Sequence, residues 1–309
     1  MGSRNALVIL GRQARLAETK REDRLMRSLM LAALAAACLP LAAPVLAQAD
    51  QAAAAAAQGP LASVLAHERR ADDRARDRYR HPAETLSFFR IEPGMTVVDY
   101  MPAGGWYSRV LIPYLGEQGT YIGLNPELDD SLTGYWDMYR GTAEKLPGQA
   151  QEWTGGEGAQ VIGANTNDVP EALYGTADRF LIFREVHNMR RSGWLHDSLV
   201  TARRLLKDDG MLGLVQHRAK ADAPAEYSLG DNGYLREADV IALMQSYGFE
   251  LAEKSEINAN PADPADWEGG VWALPPGYRG TPESDSARRA ELDAIGESDR
   301  MTLLFRKRA

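Results

Sequence analysis

Three side chains able to move a proton fall just past two short apolar runs that read as buried strands: Glu185 and His187 follow Arg179 to Phe183, and His217 follows Met211 to Gln216. Ligands of an open α/β sheet gather outside the carboxyl ends of its strands, so these residues can reach one crevice. A carboxylate or a neutral imidazole within hydrogen-bond reach can take the proton of a nucleophile. His187 or Glu185 is the expected base and His217 the expected substrate-positioning group. Together with His196 they could in principle ligate a metal. No H-x-x-x-H or H-E-x-x-H spacing is present, however, and His196 reads as a surface residue of the next helix, so no metal site is expected. A Ser-His-Asp hydrolase has no support, since no G-x-S-x-G elbow occurs.

A second pattern lies upstream. Met95-Thr96-Val97-Val98-Asp99 is an apolar run closing on an acid, followed by Tyr100-Met101-Pro102-Ala103-Gly104-Gly105-Trp106-Tyr107-Ser108 and an apolar helix, Arg109 to Leu115. A strand, a glycine turn and a helix N-terminus bring backbone N–H groups and a positive dipole end to where a nucleotide-type cofactor approaches. The spacing is not G-x-G-x-x-G, which disfavours a dinucleotide site and a nicotinamide-dependent oxidoreductase.

The elements that must position these residues alternate. Further buried strands are expected at Thr120 to Leu124 and Gln160 to Gly163, and a helix at Trp194 to Leu206 with Leu195, Leu199, Ala202 and Leu206 on one stripe. Glu237 to Tyr247 reads as a helix stopped by Gly248. Phe249 to Ile257 and Met301 to Arg306 read as two strands, an antiparallel edge pair separated by a Pro- and Gly-rich insertion and a short charged helix, Ser284 to Ile295. Before the first strand, Leu61 to Tyr79 reads as a solvated helix whose Arg/Asp alternation is surface pairing, and Ala83 to Phe89 as a second helix after Pro82. His81, with Tyr79 and Arg80, is either a lid over the pocket or an ordinary turn. Trp267, Trp272 and Tyr278 in the insertion either cover an apolar substrate or pack a long loop onto the sheet.

On Pro93 to Asp99, the loop Pro102 to Tyr107, Glu185-Val186-His187-Asn188 and Gln216-His217, the chain resembles the class I S-adenosylmethionine-dependent methyltransferases, in particular predicted bacterial methyltransferases with a P-x-G-G-W-Y loop. The resemblance spans roughly residues 78–306. It implies an α/β fold: a Rossmann-like, seven-stranded, mostly parallel sheet with helices on both faces and an antiparallel last strand. It further implies S-adenosylmethionine over the ends of the first strands. By the same resemblance Asp99 is the acid ending the first strand, beside Tyr100, near the methionine part of the cofactor. Gly104 and Gly105 let the backbone pack beneath it, and Trp106 and Tyr107 line the pocket. Met101 and Ala103, flanking Pro102, stand where the superfamily has its first two glycines. Asn125 takes the place of the acid that holds the ribose hydroxyls, with Glu127 as an alternative. Asn165, Thr166 and Asp168 are candidates for the adenine edge, or equally a turn that bonds its own backbone.

Composition bounds the rest. The chain has 309 residues, 45% hydrophobic and 25% charged, with 43 Asp plus Glu against 35 Lys plus Arg. That is globular, and it leaves no basic surplus for nucleic acid. Met26-Arg27, an uncharged run from Leu29 to Ala49, and the ending Ala47-Gln48-Ala49 describe a secretory signal peptide at about 26–49 and hence a periplasmic or secreted protein without a stable membrane span. Cleavage there would remove the single cysteine, Cys38. The expected organisation is an N-terminal extension and signal peptide (1–49), a linker and N-terminal helix (50–77) and a methyltransferase-like domain (78–309) with an insertion at 258–297. Two functions compete: a methyltransferase acting on a small molecule, and an exported, non-catalytic protein that binds a ligand or partner on a degenerate methyltransferase fold.

Overall fold

Short, β-branched and apolar segments such as Thr96-Val97-Val98 can be buried on both faces only in a sheet covered by helices on either side, and that is the architecture observed. The computed structural model describes residues 59–128 and 132–308. The expected signal peptide and the first part of the expected linker, residues 50–58, lie outside the described residues.

The helices are α1 (Pro60–Ala66), α2 (Asp77–Arg80), α3 (Pro82–Phe88), α4 (Ser108–Leu115), α5 (Thr142–Thr154), α6 (Val186–Arg191), α7 (Leu195–Leu205), α8 (Glu237–Ser246) and α9 (Ser286–Ile295). The strands are β1 (Thr96–Tyr100), β2 (Thr120–Asn125), β3 (Gln160–Asn165), β4 (Ala177–Phe183), β5 (Leu206–His217), β6 (Phe249–Ser255) and β7 (Arg300–Lys307). They form one seven-stranded sheet in the order β3-β2-β1-β4-β5-β7-β6. β1 to β5 run parallel, and β7 lies antiparallel between β5 and β6. The order reverses between β1 and β4, which is the switch point where such sheets take their ligands. One apolar layer packs α6, α7 and α8 on the sheet through Val186, Leu199, Leu205 and Met244; the other packs α3, α4 and α5 through Leu86, Val110, Leu111 and Leu146.

Three local outcomes differ from the sequence reading. Helix α5 has no counterpart in it, because Pro147 and Gly148 sit inside the helix and each disfavours one. Tertiary packing overrides the propensity. A Cβ on Gly163 would meet the Ala143 carbonyl at 1.9 Å and one on Gly123 would meet the Leu146 side chain at 2.2 Å, so these glycines admit α5 at backbone contact. Strand β5 begins at Leu206 rather than Met211, since Leu206 pairs with Ala177 before the register shifts. Finally, the solvated helix expected over Leu61 to Tyr79 is broken at His67, whose ψ of 145° is extended and whose ring accepts from the Arg69 N–H. Part of its Arg/Asp alternation turns inward, while Asp72, Arg74 and Arg78 stay exposed as expected. Arg70, 0% exposed, forms a fork with Asp77 at 3.0 and 2.7 Å, and buried Asp73 holds Arg109 at 2.6 and 2.7 Å.

Candidate functional site

The β1–α4 loop alternates left-handed residues. Met101 (φ 52°), Ala103 (φ 49°) and Gly105 (φ 76°) all adopt the conformation that favours glycine, and two of the three are not glycine. Ala103 and Gly104 are exposed at the loop tip. Gly105 rests on the indole of Trp153, which a Cβ would meet at 2.5 Å. Met101 is buried in the layer that includes Leu124 and Tyr139, and Pro102 lies against Gly123. Trp106 is drawn toward the N-terminal segment: its indole N–H donates to the Asp73 carbonyl at 3.3 Å, and the Arg80 and Arg70 guanidinium carbons lie 4.6 and 5.1 Å from its ring centre. Tyr107 is buried and stacks on Phe183.

The strand-end polar groups fall into two sets. Asp99 is buried under the loop and accepts from the Tyr121 hydroxyl at 2.8 Å, itself 2.7 Å from the Ser108 hydroxyl at the start of α4. Burial pushes the Asp99 carboxyl up to about 7, against the pull of the Tyr121 bond and of Arg184. Tyr100 turns to the opposite face, where its hydroxyl accepts from Ser198 of α7. Asn125 and Asn165 stand side by side at the ends of β2 and β3. Asn125 is 2% exposed and its side-chain N–H group has no partner. Asn165 and Thr166 are engaged locally: Asn165 bonds Asp168 at 2.7 and 3.2 Å, and the Thr166 hydroxyl accepts from the Glu127 N–H at 3.2 Å.

The second set sits past β4 and β5. Glu185 accepts from Asn188 at 2.6 Å, and burial raises its carboxyl to about 7. His187 and His217 lie with ring centres 5.6 Å apart, beside the edge of Trp272. The His187 Nδ1 is 3.3 Å from the Gln216 amide, and the His217 Nδ1 is 2.5 Å from the Ser298 hydroxyl. Burial, assisted by Arg191, pushes His187 down to about 3, and burial with Arg300, His187, Arg184 and Arg80 holds His217 well below its usual range, so both rings are neutral near pH 7. His187 and His217 are thus neighbours at the end of β5, and Glu185 is held by Asn188 of the same α6 turn that carries His187.

Five of the six buried side-chain polar atoms that lack a partner among the described residues belong to this carboxyl edge: Asn125 Nδ2, His187 Nε2, Asn188 Oδ1, Gln216 Oε1 and Arg300 Nε. Native interiors leave few polar groups unpaired, and such a concentration marks a place built for a ligand or water. A separate cavity of about 610 Å³ lies farther along this edge between Arg218, Arg236, Lys254 and Glu256. Its charges already satisfy each other, Arg218 pairing with Asp299 at 3.0 Å and Glu256 at 2.7 Å. No metal-ligating cluster occurs among the described residues, and no helix among them is long and apolar enough to cross a membrane.

The insertion packs beside the two histidines. Asp263, 0% exposed, accepts from the Tyr234 hydroxyl, the Trp267 indole and the Asp299 backbone N–H at 2.8–2.9 Å. It ties a small apolar cluster of Ala219, Tyr234, Ala265 and Val271, with Trp272 packed against it, over the ends of β4 and β5. His81 is a left-handed hinge between α2 and α3. Sequence reasoning had no signal for Asp263, Glu297 or Arg300, which reach the site from far along the chain. For Arg184 the signal was present, a base immediately after a buried strand.

No protein-family model matches the sequence, and no curated protein does. Among solved structures the chain is similar to a S-adenosylmethionine-dependent methyltransferase of Aquifex aeolicus (19% identity, TM-score 0.45, 65% of this chain and 94% of that one). It is also similar to the geranyl diphosphate C-methyltransferase of Streptomyces coelicolor (12%, TM-score 0.45, 76% and 81%). A third likeness is to the 1,6-didemethyltoxoflavin-N1-methyltransferase of Burkholderia thailandensis (13%, TM-score 0.43, 88% and 93%).

Proposed function

We propose that the protein is a S-adenosylmethionine-dependent methyltransferase acting on a small molecule. The observation that carries this reading is the left-handed conformation of Met101, Ala103 and Gly105. A non-glycine residue held there costs on the order of 1–3 kcal/mol, and strain of that kind persists where a loop's shape is used. The residues fit the cofactor. The loop tip at Ala103 and Gly104 lets a ligand approach the backbone, and the unpaired Asn125 amide would serve as a donor to the ribose hydroxyls. When bound, the cofactor supplies an electrophilic methyl group. Glu185 takes the acceptor's proton, and neutral His187 and His217 orient the acceptor beneath Trp272. Asn165 and Thr166 hold the turn that borders the adenine side. Residues 26–49 direct the chain out of the cytoplasm in this reading.

Titration calorimetry of the purified chain with S-adenosylhomocysteine tests it. Micromolar binding, lost in Gly105→Asp and weakened in Asn125→Ala, is the expected result; absence of heat with either S-adenosylhomocysteine or S-adenosylmethionine overturns it.

A further inference from the structure

Four guanidinium groups gather around a single carboxylate. Glu297, 4% exposed, accepts from Arg76, Arg80 and Arg300, of which Arg80 and Arg300 are 4% and 3% exposed. Burial works to raise the Glu297 carboxyl, yet Arg300, Arg80 and Arg76 together hold it far below the usual range, so its one negative charge is already shared three ways. The fourth base, Arg184, is partly exposed, and its guanidinium makes no hydrogen bond or ion pair with any described residue. It lies within electrostatic reach of Arg300, Glu297, Arg76 and Tyr107, and its charge is felt by Asp99, Glu185 and both histidines. The Arg300 Nε is a buried donor without an acceptor.

None of the neighbours supplies the missing negative charge. The histidines are neutral, and the Asp99 and Glu185 carboxyls, raised by burial to about 7, carry only part of a negative charge near neutrality, so at most a fraction of the four positive charges is offset beyond Glu297. A buried positive surplus is unfavourable unless a counter-ion meets it. In a chain with more acids than bases this concentration stands out. Resting on the methyl-transfer reading, we propose that the acceptor is a small molecule bearing an oxyanion, a carboxylate or phosphate, and that Arg184 holds that group with Arg300 and Arg80 behind it. The planar guanidinium fork suits either oxyanion. Arg184 directly precedes Glu185, so an acceptor anchored on it is delivered to the proposed base.

The test is calorimetric titration of the full chain with inorganic phosphate and with benzoate, each alone and with saturating S-adenosylhomocysteine, in the wild type, Arg184→Gln and Arg184→Lys. Melting curves establish that the variants fold. The expected result is binding of at least one anion alongside S-adenosylhomocysteine, weakened at least about tenfold in Arg184→Gln and partly restored in Arg184→Lys, with S-adenosylhomocysteine affinity unchanged. Competition between anion and S-adenosylhomocysteine overturns the proposal, since the charge then serves the cofactor's own carboxylate; so does anion binding that survives Arg184→Gln, or none at all. If the anions bind through Arg184 but S-adenosylhomocysteine does not bind, the oxyanion site stands and the methyltransferase reading falls.

Discussion

The ring of Tyr107 stacks on that of Phe183, with centroids 3.6 Å apart and planes 9° from parallel. The contact ties the loop after β1 to the end of β4, so the two parts of the proposed site rest on one buried pair. Tyr107→Ala is expected to cost about 3–5 kcal/mol of stability, measurable by urea denaturation, while Tyr107→Phe is expected to cost far less.

The left-handed loop separates two kinds of glycine substitution. Ala103 is exposed, so Ala103→Gly relieves strain without losing packing and raises stability by about 0.5–1 kcal/mol. Met101 is 4% exposed; Met101→Gly removes a buried side chain and lowers stability by about 2–4 kcal/mol despite the same relief. Opposite shifts of the two urea midpoints are the expected outcome.

Burial gives Glu185 a carboxyl that ionises at about 7. As the base it works only when deprotonated, so kcat/KM is expected to rise with pH through about 7 and then level. Glu185→Gln removes that limb and lowers the rate by about 10²–10⁴. His187, held near 3, stays neutral throughout and contributes no limb in this range.

Asp99 makes a matching statement about stability. Its carboxyl is raised from 3.8 to about 7 in the folded chain, which therefore binds more protons than the unfolded chain between those values. Its contribution falls as pH rises through that window, by about 1.4 kcal/mol per unit at most, and is constant above it. Asp99→Asn, which still accepts from Tyr121, is expected to remove that share of the slope in stability from urea denaturation across pH 4 to 8, leaving the share of Glu185, whose carboxyl is raised in the same direction.

Loss of Glu297 strips three guanidinium groups of their shared partner. Glu297→Gln is expected to cost about 3–5 kcal/mol, and replacing Arg76, the most exposed of the three, considerably less. Chemical denaturation of both variants checks the order.

The strands and most helices were legible because parallel strands must be apolar throughout and helix stripes keep their period, as in Val97-Val98 and Leu195 to Leu206. Helix α5 was not, since its Pro147 and Gly148 oppose helix and only its packing on Gly123 and Gly163 explains it. That Glu185, His187 and His217 fall at or just past the ends of β4 and β5 was readable from the apolar runs before them. The arginine cluster was not, because Arg76, Arg184, Glu297 and Arg300 meet only through the β5–β7 pairing and the inward turn of the segment before α3. The same limit explains why Arg70 and Asp77 read as surface charges: local spacing does not reveal which face a broken helix buries.

Because Met101 and Ala103 carry side chains in torsion angles that glycine adopts freely, the handedness of the turn between residues 101 and 105 is not written in its glycines. A loop of this shape is found by following torsion angles at alternate positions, not by reading letters.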